Sequence, residues 1–406
     1  MKIVFLATAL AAASIALALD GQIGIHDPST VVQCDGKYYT YGTGGTSLIS
    51  DDGWTWRRGK NLPNARLAPD IIHLGDRYYA YAAANVGAQP RAEVTMQWSK
   101  TLDQDSPDYR WEAGGVVASS DGIEESNAID PGGFLDPNDH RLWLTYGSYF
   151  GYIRLVELDP KTGKRLHPGD TPRNLAINCE ASDMMYHDGW YYLLATHGSC
   201  CRGADSGYNI RMGRSRKVTG PYLDGEGIDM ILGGGLKLIG SEGREIGPGH
   251  FGLLDLGQGV QKFSMHWEAD LDRGGASVLD IRPLLWKGGW PVAGENLKEG
   301  TYEIESVRTG TALELAVEGV PVGGPRRQRR WNVCRHGGRD STSGCRAGFG
   351  EVARRKYRCA RGELSGSGPA EVGHYACAQC RRLPRLAVLQ GDDRGHRTRT
   401  GRHPGC

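Results

Sequence analysis

One pattern recurs five times along this chain, and it limits the folds the chain can adopt. Each copy is an aromatic, alternating run: Lys37-Tyr38-Tyr39-Thr40-Tyr41, Arg77-Tyr78-Tyr79-Ala80-Tyr81, Leu142-Trp143-Leu144-Thr145-Tyr146, Trp190-Tyr191-Tyr192-Leu193-Leu194 and a weaker Lys262-Phe263-Ser264-Met265. Turn residues such as Asp35-Gly36 and Asp188-Gly189 come just before, and helical periodicity is nearly absent. Roughly ten residues upstream of each run stand Asp27, Asp70, Asp130, Glu180 and His250 in turn, a period of about 40–60 residues. Repeats of this length, each holding a few short strands, predict an all-β fold, a five-bladed β-propeller. In a propeller the innermost strand of every blade starts at the same end of a central channel. One ionisable residue per blade, at one place in the repeat, would therefore converge on a single axial site.

The rest of the chain divides around that region. Met1-Lys2, an apolar run from Ile3 to Leu17 and small residues at Ala16 and Ala18 have the form of a secretory signal peptide cut after Ala18. The run is short for a bilayer span and no basic stop-transfer segment follows, so a membrane anchor is disfavoured. The expected organisation is a signal peptide over 1–18, a propeller over 19–294, the start of a small β extension over 295–324 and a tail over 325–406. In the extension, Thr301–Ser306 and Ala312–Val317 read as strands. After Pro325 Gly, Arg, Cys and His dominate, and such a segment cannot bury enough surface to offset its ordering entropy. A disordered or out-of-frame tail is favoured there over a zinc site built from Cys359, His374, Cys377 and Cys380, because one Cys-x-x-Cys without a matched pair is weak.

The net charge of +1 gives no electrostatic case for nucleic acid or membrane partners. A soluble, secreted monomer acting on a polysaccharide is expected. The 18 Tyr and 10 Trp far outnumber the 6 Phe, and aromatics with a polar edge suit sugar rings, although most of the Tyr-Tyr pairs are assigned to blade cores. Of the 10 cysteines, Cys34, Cys179, Cys200 and Cys201 lie in the repeat region. Neighbours such as Cys200-Cys201 rarely bridge each other, and a partner for Cys34 cannot be deduced.

Three carboxylates carry the chemistry: Asp27 in His26-Asp27-Pro28, Asp130 in Ile129-Asp130-Pro131 and Glu180 in Cys179-Glu180-Ala181. Each opens an apolar segment expected to be an inner strand, where water access is limited. Crowded, buried carboxylates repel one another, so at least one should titrate high. A raised-pKa acid beside an ionised base is what cleavage of a glycosidic bond requires. Asp-Pro pairs alone would only cap turns, but three acids in matching positions of three repeats favour the chemical role.

Several stretches resemble glycoside hydrolase family 43 arabinanases: Ile25-His26-Asp27-Pro28-Ser29-Thr30, Ala68-Pro69-Asp70, Asn127-Ala128-Ile129-Asp130-Pro131, Glu180-Ala181, Ser199-Cys200-Cys201-Arg202-Gly203, Tyr208-Asn209-Ile210-Arg211 and Gly247-Pro248-Gly249-His250. They run in family order from about Gly24 to Gly294. The resemblance implies inverting hydrolysis of α-1,5-linked arabinan, with Asp27 as general base, Glu180 as general acid and Asp130 holding the acid's pKa up. It also implies a calcium ion held in the channel through His250 and waters. The Asp27–Glu180 separation is expected in the inverting range of roughly 6.5–9.5 Å. Asp70, Asn127, Ser148, His197 and Arg202 are expected to bind substrate. Leu67 stands where the family usually has tryptophan, which weakens one sugar subsite. Endo action is the preferred expectation. The alternatives are an exo-acting arabinofuranosidase or β-xylosidase of the same fold, or a non-catalytic carbohydrate-binding propeller.

Overall fold

The computed structural model describes residues 19–87, 91–121, 127–257, 259–296, 300–302 and 331–333. The signal segment 1–18, the strand expected over Ala312–Val317 and the tail's Cys359, His374, Cys377 and Cys380 lie outside them. The described chain forms five antiparallel sheets arranged as blades, numbered I to V in chain order. Their innermost strands are Val32–Cys34, Leu67–Leu74, Gly132–Leu135, Glu180–His187 and Ile246–Asp255. Gly300–Tyr302 pairs with Trp331–Val333, so a strand of the expected extension joins a stretch assigned from sequence to the tail.

Local sequence sets the hairpins. Cys34 pairs with Lys37 across Asp35-Gly36, and His187 pairs with Trp190 across Asp188-Gly189. In both turns the two central residues have positive φ, the backbone that matches strand twist and that Asp-Gly adopts readily. The following runs then alternate into the core. Tyr39, Tyr41, Tyr79, Tyr81, Tyr146 and Tyr192 are fully buried between blades, as expected for blade-core aromatics. Two of the hydroxyls join blades: Tyr79 donates to Lys161 O and Tyr81 to Gly163 O, both at 3.0 Å, tying blade II to blade III.

The head of each inner strand carries the same distortion. Asp27, Ala68, Asp130, Ala181 and His250 all have left-handed backbone, with φ between 42° and 62°. This conformation costs an L-residue roughly 1–2 kcal/mol. Two residues further on, Ser29, Asp70, Gly132, Asp183 and Gly252 sit opposite Tyr41, Tyr81, Thr145, Leu194 and Ser264 of the next strand. This register corrects the repeat alignment drawn from sequence. The residue of blade II equivalent to Asp27 is Ala68, and that of blade IV is Ala181. Asp70 lies two residues deeper in the channel, and Glu180 stands one residue earlier.

At the deeper level the inner strands nearly touch. A Cβ on Gly132 would stand 2.2 Å from Ser182 O, and one on Gly252 would stand 2.6 Å from Ser29 O, so glycine is required at both. Asp70 accepts from Thr30 N of blade I at 3.0 Å and from Gly133 N of blade III at 2.8 Å. Asp183 accepts from Met184 N at 2.7 Å and from Leu253 N of blade V. Thr145 Oγ1 donates to Ser182 O, Thr196 Oγ1 accepts from His250 N, and Ser264 Oγ donates to Ser29 O. Every blade-to-blade junction around the axis therefore has a polar tie. At the rim, Ile23–Ile25 pairs with Ser277–Leu279 of blade V, and Asp20–Gly21 runs parallel to Thr55–Trp56 of blade I, which closes the ring.

Burial raises Asp70 and Asp183 above the ordinary carboxylate range, against their N–H donors, and the charge of Asp70 pushes Asp183 further up. A raised folded-state pKa gives stability that is complete below the unfolded value of about 3.9 and lost as pH rises through the folded one. Asp183→Asn, which cannot ionise, is expected to flatten the decline in melting temperature between mildly acidic and alkaline pH. Thermal melts of both proteins across that range check this, and parallel slopes would contradict it.

Candidate active site

The strained strand heads gather Asp27, Asp130, Glu180 and His250 at one end of the channel, each largely buried. Asp27 is the best supported of them. Its Oδ2 accepts from Thr43 Oγ1 at 2.6 Å, and Thr43 is itself held by Ala68 N. Three imidazoles surround its Oδ1: His250 Nδ1 and His26 Nε2 at 3.4 Å, and His266 Nδ1 at 3.8 Å. Its backbone N–H donates to His266 Nδ1 at 3.1 Å, which fixes that ring by its lone pair. Burial alone would raise the carboxyl, but the hydrogen bond to His250 and the electrostatic pull of His250 and His26 outweigh it and hold Asp27 well below the ordinary range. His266 is held neutral, pushed down to about 3 by burial and by His26.

Glu180 and Asp130 behave in the opposite way. Burial lifts Glu180 to about 7, against a hydrogen bond that Tyr208 donates to its Oε1 and with a further push from Asp27. Burial, Glu180 and Asp27 together hold Asp130 well above the ordinary range, opposed by the N–H of Ala181. At neutral pH the trio thus contains an ionised aspartate facing two carboxyls that favour their protons.

The other expected site residues are spread more widely. Asn127 Nδ2 donates to Ser148 Oγ at 3.2 Å, a fully buried pair beside the Asp130 strand head. His197 is buried and lowered to about 4 by burial and by Arg211, and Arg202 is exposed on the rim loop after blade IV's second strand. Asp70 does not join this group: both its oxygens are occupied by backbone N–H groups one level down. Tyr208, His266, Thr43 and Asp183 escaped the sequence reading. Tyr208 and Thr43 act from second-layer positions, and His266 follows the weakest repeat copy by one residue, so its fifth-blade register was the one available signal. Cys200 and Cys201, expected to remain unlinked, are joined as a disulfide on the rim loop, while Cys34 and Cys179 are buried thiols.

The calcium ion expected at His250 would be held by that one imidazole and by waters. Among the described residues, the side-chain clusters able to hold a metal ion are His26-Cys200-Cys201 and His26-Asp27-His266, and neither includes His250. Calcium takes roughly six to eight oxygen ligands. Nitrogen and sulfur dominate these two clusters, with a single carboxylate, so neither of them is a calcium cage; an ion held through His250 and waters would lie outside both.

A five-bladed propeller with a water-restricted carboxylate trio at its channel head has the architecture of a glycosidase. Residues 39–291 match the profile described as Glycosyl hydrolases family 43, and the chain belongs to that family. An extracellular exo-α-(1→5)-L-arabinofuranosidase of Cellvibrio japonicus is 31% identical over 322 residues, 71% of this chain and 91% of that protein. An extracellular endo-α-(1→5)-L-arabinanase of Bacillus subtilis is 30% identical over 291 residues, 66% of this chain and 87% of its own length. Among solved structures, a family 43 endo-arabinanase from Bacillus licheniformis superposes with a TM-score of 0.61 at 31% identity, covering 68% of this chain and 99% of that one. An exo-1,5-α-L-arabinanase from a bovine ruminal metagenomic library gives 0.62 at 32% identity, covering 68% and 98%.

Holding Glu180 protonated has a stability consequence. Its carboxyl moves from an ordinary 4.5 to about 7 on folding, so the cost is complete above pH 7 and absent below about pH 4. Glu180→Gln, a mimic of the protonated acid, is expected to stabilise the fold at pH 8 by up to about 3 kcal/mol and to have little effect at pH 4. Urea unfolding at the two pH values measures it, and equal stabilities at pH 8 would contradict the assignment.

Proposed function

We propose that this protein is a secreted endo-α-1,5-arabinanase that hydrolyses its substrate with inversion. The observation that carries the reading is the split in ionisation between Asp27 and Glu180. Asp27, ionised and oriented by Thr43 and the histidines, takes a proton from a water. The water oxygen then forms a bond to the anomeric carbon. Glu180 gives its proton to the glycosidic oxygen as that bond breaks, so the leaving chain departs as an alcohol. Like-charge repulsion between Asp130 and Glu180 disfavours ionising both, so the pair holds on to a proton. Tyr208 orients the acid by its hydrogen bond to Oε1.

Arabinan as substrate, and export, are supported by the relatives' names, which describe extracellular arabinan-degrading enzymes. Endo action is supported by a cavity of 470 Å³ between blades I and II. Its lining includes Gly44, the neighbour of the Thr43 that holds Asp27, together with Asn64, Arg66 and Asn85. Sugar units beyond the scissile bond would occupy this cavity in the endo reading. The exo reading is the alternative, since exo-acting enzymes stand among the similar proteins.

On debranched linear arabinan, short oligosaccharides of mixed length are expected early in the digest. Release of monomer or of a single short product from the start would move the enzyme to exo action. Glu180→Ala is expected to lower kcat by about 10²–10⁴-fold while arabinan binding is retained. The kcat/KM profile should fall as pH rises past about 7, where Glu180 loses its proton. Tyr208→Phe removes a donor that favours the carboxylate and should move that limb upward; a limb that stays put would contradict the role given to Tyr208.

A further inference from the structure

Two exposed aromatic rings stand beside the acid. Among the described residues, the large apolar side chains left in water are aliphatic except for Tyr149 and Phe150, which are 37% and 55% exposed. Keeping two neighbouring rings in solvent forgoes the burial that drives folding, and such a patch marks a surface that meets a ligand. We propose that Tyr149 and Phe150 form the binding site for the leaving part of the arabinan chain, the sugars on the reducing-end side of the bond that is cut, an assignment that rests on Glu180 being the acid of an arabinan hydrolase.

The rings are displayed on a firmly held turn. It joins Leu142–Tyr146 to Tyr152–Leu158 in blade III. Gly151 N donates to Ser148 O at 3.2 Å across it, and Gly147 N donates to Ile129 O at 2.9 Å, beside Asp130. The buried bond from Asn127 Nδ2 to Ser148 Oγ ties the turn to the same strand head. Gly147 has a φ of 134°, and a Cβ there would stand 2.3 Å from Tyr152 O, so the turn begins on a residue that only glycine allows.

Tyr149 reaches across to blade IV. Its hydroxyl donates to Thr196 O at 3.0 Å, and Thr196 stands opposite Glu180 in the strand register. Burial raises the pKa of that hydroxyl, and the next largest push comes from the charge of Glu180, which sets the ring beside the acid.

The side of the scissile bond on which the rings lie follows from the reaction. Glu180 protonates the glycosidic oxygen, and that oxygen departs with the reducing-end portion of the chain. The first sugar of that portion lies against Glu180, and the sugars after it extend past Tyr149 and Phe150. An α-1,5-linked arabinofuranose presents ring C–H groups and an exocyclic CH2 within the chain itself, apolar edges that pack on an aromatic face. Phe150 has no polar side-chain atom and holds a sugar by that contact alone. Tyr149 has its hydroxyl engaged by Thr196 O and offers its ring. No bond is made or broken here; the contact places the scissile oxygen at Glu180.

The test uses the full chain and arabinohexaose, digested briefly in water enriched in heavy oxygen. The water oxygen enters at the cut end of the retained portion, so unlabelled fragments are leaving portions and mass spectrometry reads their lengths. Wild type is expected to release leaving portions of two or more sugars first. In Phe150→Ala the cut should slip toward the reducing end, the ratio of longer to shorter leaving portions falling about tenfold and kcat/KM falling by a similar factor. Phe150→Tyr keeps the ring and should return the wild-type pattern, which a general disturbance of the turn would not allow. Phe150→Leu repeats the comparison should the alanine variant fail to fold. Identical patterns in wild type and Phe150→Ala would overturn the leaving-chain site and leave the arabinanase reading intact. A lower kcat/KM with an unchanged pattern would overturn it too, since a contact on one side of the bond must move the cut. If wild type leaves arabinohexaose uncut, the arabinanase reading fails and the leaving-chain site falls with it.

Discussion

The closed ring of polar ties around the channel is what the rest of the structure depends on. A propeller blade buries its faces against two neighbours, but packing alone does not fix the height of one inner strand against the next. Here Asp70 joins blades I, II and III, Thr145 joins III to IV, Asp183 and Thr196 join IV to V, and Ser264 joins V to I. With the heights fixed, the left-handed residue at each strand head falls at one level. Asp27, Asp130 and His250 occupy three of those five positions and alanine the other two, so the ring is not overloaded with charge. Glycine at 132 and 252 is the steric counterpart of the same closeness.

The electrostatics of the site follow from what lies on either side of the axis. Asp27 faces imidazoles and a hydroxyl donor, an environment that favours a carboxylate. Glu180 and Asp130 face each other and apolar strand surface, which favour the acid form against the one hydrogen bond that the Tyr208 phenol donates. Burial acts on all three, and partners decide the outcome. The site thereby contains an ionised carboxylate and carboxyls that resist ionisation at one pH, at the expense of stability at neutral pH.

Much of this was legible in the chain. The aromatic runs with Asp-Gly turns gave the blades because period-two patterning and turn chemistry are local properties. The grouping of Asp27, Asp130, Glu180 and His250 followed from repeat position. Depth was harder to read. Each inner strand carries a bulge at its head, and a bulge changes the count of residues opposite one another, so Asp70 and Glu180 were aligned with positions that Ala68 and Ala181 occupy. Counting back from the aromatic strand cannot reveal an extra residue in the partner. Tyr208 and Thr43 reach the carboxylates from other strands and turns, and nothing in their local sequence marks them. The Cys200–Cys201 bond runs against the general expectation for neighbouring cysteines, and the supports of His26 lie about 250 residues away in the chain at Ser277 and Glu268.

The central claim is that Asp27 activates water on the face of the sugar opposite the proton delivered by Glu180. Proton NMR of the first product released from an α-1,5-linked arabino-oligosaccharide tests it most directly. The account predicts β-arabinofuranose ahead of mutarotation. Initial α product would mean retention through a covalent intermediate and would contradict it.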